Sequence, residues 1–171
     1  MDDSGLWPWI LTVTFAGAMV VAMVWDLVTF EIPDTLSVTL VVMALAALFL
    51  GGQGWSVISF HLLGGLGAFA FGVVMFSLGQ WGGGDVKFMA AVSLWLNGLA
   101  LIQYLLVAAI AGGVLAVAIL VFRRFSLPQA WAERAWLAQL HRADKGLPYG
   151  VALGSGGLIM LGPAVAGVIG P

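Results

Sequence analysis

Residues 99–122 read LALIQYLLVAAIAGGVLAVAILVF, an apolar run without one acidic or basic side chain. A helix that crosses a bilayer needs about 20 such residues to pass a hydrocarbon core of about 30 Å. This run meets the requirement unaided. Outward from it, the same signal recurs at Trp7–Trp25, Thr35–Leu50, Trp55–Leu78 and Tyr149–Ile169, with a shorter apolar stretch at Val86–Leu96. Polar or glycine-rich breaks fall at Asp26–Asp34, Gly51–Gly54, Gly79–Asp85, Asn97–Gly98 and the long segment 123–148. The expected architecture is all-α, a polytopic membrane bundle of six transmembrane helices forming one domain over residues 1–171. The stretch at Val86–Leu96 is too short to cross alone, so its start is expected to be sheltered by protein or water.

Composition agrees. The chain is 62% hydrophobic and 8% charged, with a mean hydropathy of +1.09. Soluble domains carry about 25% charged residues, so lipid must solvate much of this surface. The absence of cysteine excludes disulfides, thiolate metal sites and a cysteine nucleophile. A net charge of -2 gives no footing for nucleic acid. Met1-Asp2-Asp3 lacks a basic n-region, so the first apolar run is expected to persist as a helix rather than be removed as a signal peptide.

Charge also sets the expected topology. With the N-terminus outside, the breaks at 26–34, 79–87 and 123–148 all face the cytoplasm. Lys87, Arg123, Arg124, Arg134, Arg142 and Lys145, all six basic residues, then obey the positive-inside rule. Small residues recur at helix-packing spacing in Gly64/Ala68/Gly72, Ala108/Gly112/Ala116 and Gly150/Gly154, which implies close backbone approach and no chemistry. Within 123–148, Trp131, Ala132, Ala135, Trp136 and Leu140 can share one helical face. Such a helix either lies among lipid headgroups or serves as a solvated connector.

Two acids stand out from this frame. Asp26 ends the first apolar run, and Asp85 follows Gly82-Gly83-Gly84. The topology puts both at one membrane level, where acidic groups are costly and mark function. Two carboxylates close together do not both ionise readily, so one keeps its proton near neutrality. The ionised member can take a proton from water while its partner polarises a peptide carbonyl. Such a pair calls for a water and no cofactor. The glycines leave room for an extended peptide to approach the backbone. A helix N-terminus and nearby Lys87 would favour Asp85 as the anion. The purely structural alternatives are a helix cap for Asp85 and an interfacial acid for Asp26. Glu31 and Asp34 lie on the same side, nearer bulk water. His61 reads as a packed or interfacial polar residue near the outer end of its helix. No metal is expected, because no His, Asp or Glu cluster has ligand spacing. No phosphate loop or serine triad is present either: the glycine run lacks its Gly-Lys-Ser/Thr ending, and Ser155 has no histidine at its depth.

At these residues the chain resembles the type IV prepilin peptidases, a family of membrane aspartic proteases. Gly82-x-Gly84-Asp85, continued by Val86-Lys87, matches their GxGD motif. Asp26 followed by Ile32-Pro33-Asp34 is similar to their first-aspartate segment. Leu147-Pro148-Tyr149-Gly150 is similar to the segment that opens their last helix. The likeness is closest to the short peptidases of tight-adherence (Flp) pili, because the cysteine-paired methyltransferase region of larger relatives is missing. The resemblance implies that Asp26 and Asp85 are catalytic, with Gly82, Gly83, Gly84, Lys87 and Pro33 binding substrate or supporting the site. It implies a prepilin or pseudopilin substrate, cut at the cytoplasmic face of the bacterial inner membrane. Val28 and Glu31 stand where relatives often carry basic residues. The competing reading is a non-enzymatic membrane component or transporter that uses the same acids.

Overall fold

The structure is a computed structural model that describes residues 5–126, 128, 131, 133–142 and 146–170. Met1-Asp2-Asp3, Ala132 and Lys145, used above, lie outside the described residues. The helices are α1 (Leu6–Thr29), α2 (Asp34–Leu50), α3 (Trp55–Ser77), α4 (Gly83–Ser93), α5 (Gly98–Phe122), α6 (Ala135–His141), α7 (Tyr149–Ile159) and α8 (Leu161–Ile169). The all-helical expectation holds among the described residues.

Fewer helices are long and apolar enough to cross a membrane than the six expected. Three helices, α1, α3 and α5, are long and apolar enough to cross a membrane. α7 and α8 would make a fourth span if taken together, but they are bent by 65°. Pro163 explains the break. It has no N–H to give the carbonyl of Ile159, and its ring crowds that carbonyl, so one helix ends and another begins around Met160. The 17 residues of α2 fall just short of a full span. The 11 residues of α4 rise only about 16 Å, roughly half the hydrocarbon core.

α4 lies at the centre. It packs against α2, α3 and α7. The glycines of α3 make this possible, because Gly65 faces the Leu94 side chain and Gly72 faces Val86. Phe88, Met89, Trp95 and Leu96 are fully buried. The Trp95 ring meets Phe15 of α1 at 4.9 Å, and its Nε1–H donates to the Leu40 carbonyl of α2 at 3.0 Å. The apolar residues exposed on α1, α3 and α5, such as Val13, Phe60, Leu63 and Ile102, fit a lipid environment. The ends of α1, α5 and α6 and the starts of α2, α4 and α7 meet at one end of the bundle. α6 rests there on the end of α5, with His141 edge-on to Phe122 at 5.5 Å.

Candidate active site

Asp26 is buried one turn before α1 ends. Its own carbonyl accepts the N–H of Phe30 at 2.8 Å. Phe30 is left-handed, at φ 60°, a conformation few non-glycine residues adopt. That turn folds the chain back, so that buried Ile32 packs beside Asp26 and Pro33 extends the backbone into α2. Asp26 is gripped from across the bundle as well. The N–H of Gly150, in the first turn of α7, donates to its Oδ2 at 2.6 Å. Only glycine fits there, since a Cβ would lie 2.9 Å from Asp26 Oδ2 and 2.8 Å from Ile32 Cδ1.

Asp85 sits in the first turn of α4, not at its cap. Its Oδ2 reaches back to accept the N–H of the cap residue, Gly82, at 3.0 Å. Burial pushes this carboxyl up to about 6, against the opposing pull of the Gly82 N–H. The three glycines are not equivalent. A Cβ on Gly84 would lie 3.2 Å from the carbonyl oxygen and 3.3 Å from the nitrogen of Ile32. One on Gly82 would lie 3.1 Å from Asp85 Oδ2, whereas one on Gly83 would have nothing nearer than Phe76 Cε2 at 3.9 Å. The G-x-G spacing thus has two separate causes: Gly84 packs on the Ile32 backbone, and Gly82 lies against the Asp85 carboxylate.

Asp26 and Asp85 line one cavity of about 240 Å³, together with Ile32, Gly84 and the exposed acids Glu31 and Asp34. Lys87 is placed differently from the expectation. Its Nζ pairs with Asp34 at 2.8 Å on an exposed surface, not with Asp85. Both aspartates, moreover, are bound to an N–H at the start of a helix, so a helix terminus does not single out Asp85 as the anion. Pro33 caps α2 beside the cavity without lining it. A second, apolar hollow of about 670 Å³ runs between α2 and α3 over α4. Asp34 belongs to both hollows, and Lys87 closes the polar end of the larger one.

Among the described residues, no group of His, Cys, Asp or Glu could hold a metal ion. His61 is fully buried far from the carboxylates. Its Nδ1 lies 2.9 Å from the Leu94 carbonyl and its Nε2 lies 3.2 Å from the Asn97 side-chain amide. An Nδ1–H tautomer satisfies both. What sequence reasoning missed is the N–H of Gly150 as a ligand to Asp26. Its signal was present in Pro148-Tyr149-Gly150, read only as the opening of a helix.

An all-helical membrane protein whose helices bring two acids into one small cavity has the equipment for carboxylate acid–base chemistry. The chain belongs to the type IV leader peptidase family, whose model matches residues 13–117 and so includes both Asp26 and Asp85. No curated protein and no solved structure matches the chain.

Proposed function

We propose that this protein is a membrane aspartic endopeptidase that removes the leader of type IV prepilins of the Flp kind at the cytoplasmic membrane face. The observation that carries the reading is the convergence of Asp26 and Asp85, from two separate helices, on one cavity. One carboxylate, ionised, takes a proton from a water. The other, protonated, donates to the carbonyl oxygen of the scissile peptide. Water oxygen bonds to the carbonyl carbon, giving a neutral tetrahedral diol. A proton then passes to the leaving nitrogen as the C–N bond breaks, and the pair returns to its singly protonated state.

Asp34 lines both the cavity and the wider apolar hollow between α2 and α3, which supports a substrate that arrives within the membrane. In this reading α2 crosses and α4 enters halfway, so six helical segments are membrane-embedded, with the N-terminus outside in the inner membrane. Membrane lipid is the other expected partner. The test is co-expression with a candidate prepilin. Asp26→Asn and Asp85→Asn each lower leader cleavage by about 1,000-fold or more while the protein still inserts. Normal processing by both variants would overturn the reading.

A further inference from the structure

The two carboxylates are each held by a backbone N–H, and the residues that precede those two N–H groups touch one another. Trp81 precedes Gly82, which donates to Asp85. Tyr149 precedes Gly150, which donates to Asp26. The two rings meet with centroids 5.3 Å apart at an interplanar angle of 42°. Each ring is backed by a long helix. Trp81 stands edge-on to Phe71 of α3 at 5.7 Å. Tyr149 lies against α5 at Gly112, where a Cβ would come within 2.9 Å of the ring.

We infer that the Trp81–Tyr149 ring pair is a strut that sets the spacing of the two carboxylates, so that both are positioning residues for the reaction. This rests on the aspartic-protease reading above. Neither ring lines the cavity that holds the acids. Both line a separate apolar hollow of about 450 Å³. They therefore act through Gly82 and Gly150, not on the substrate. The physical lever is distance. Repulsion between two carboxylates falls as they separate, and with it the gap between the two titrations of the pair. A misplacement of about 1 Å lowers the rate by about 100-fold.

The experiment measures kcat, KM and the pH profile of cleavage by purified full-length enzyme carrying Trp81→Ala, Trp81→Leu, Trp81→Phe, Tyr149→Ala or the Trp81→Ala/Tyr149→Ala pair. Trp55→Ala is the control, because Trp55 meets Phe49 in a tilted contact at the opposite end of α3 from Trp81. Trp81→Ala and Trp81→Leu are expected to lower kcat by about 100-fold with KM little changed. The two arms of the pH profile should draw together. Trp81→Phe, which keeps a ring, should restore most of the rate, and the double variant should be no slower than the slower single. Loss of kcat with unmoved arms, or losses that multiply in the double variant, would overturn the strut. So would wild-type rates in Trp81→Leu, which retains bulk if Trp81→Ala fails to fold. If Asp26→Asn and Asp85→Asn are inactive while the Trp81 variants behave as wild type, the strut alone fails. If the aspartate variants are active, the protease reading fails first.

Discussion

At Gly84 one methyl group separates a formed site from a displaced one. Its Cβ would press on the backbone of Ile32, which cannot swing aside as a side chain can. Either the start of α4 or the turn beside Asp26 must then move. Gly84→Ala is therefore expected to lower cleavage by about tenfold or more, whereas Gly83→Ala should cleave like the wild type. Rates of the two single variants on one prepilin decide it, and equal losses in both would refute the packing account. Gly82→Ala makes a different claim. Its Cβ crowds Asp85 Oδ2 and loosens the Gly82 N–H bond that opposes the effect of burial. A weaker donor holds the anion less well, so the Asp85 carboxyl, already near 6, moves higher. One arm of the bell-shaped profile of kcat/KM should shift to higher pH. A superimposable profile would show that this hydrogen bond does not govern a catalytic ionisation.

The helix α4 ends halfway through the bundle, where its last carbonyls have no water to turn to. His61 of α3 answers one of them at Leu94, and the Asn97 amide meets its other ring nitrogen, Nε2. His61→Leu would leave the Leu94 carbonyl buried without that donor, at a cost of about 1–3 kcal/mol. The expected outcome is faster thermal inactivation in detergent with kcat of the surviving enzyme nearly unchanged. Unaltered inactivation would mean the contact adds nothing to stability. This element also shows what sequence could and could not supply. Apolar length located α1, α3 and α5 to within a few residues, because lipid allows few alternatives. The acids at Asp26 and Asp85 were legible for the same reason. The sequence places the start of α4 at Val86, three residues late, since Gly83 and Gly84 read as breakers but sit in its first turn, where packing on Ile32 requires Gly84. The bend before Pro163 was legible in principle and was hidden by a continuous apolar run. The pairing of Lys87 with Asp34, and of Gly150 with Asp26, depends on tertiary contacts between residues remote in the chain, which no local pattern encodes.

Across the whole molecule, the cavity lined by Asp26 and Asp85 is small and holds four acids, while the hollow between α2 and α3 is large and apolar, and Asp34 lines both. A substrate free in water would have no use for the second. A substrate anchored in the same bilayer needs somewhere for its apolar segment to lie while the adjoining peptide bond reaches the acids. Val42 lines that hollow and is 58% exposed, so enlarging it should leave the core intact. Val42→Trp is expected to lower kcat/KM for a membrane-anchored prepilin by about tenfold, equivalent to about 1.4 kcal/mol of lost binding. The same variant should cut a short soluble peptide that spans only the leader junction at the wild-type rate. The comparison separates docking from chemistry, since both substrates present the same bond to Asp26 and Asp85. Equal loss on both would place the damage in the cavity of Asp26 and Asp85. No loss on either would mean that the anchored segment lies elsewhere on the lipid-facing surface.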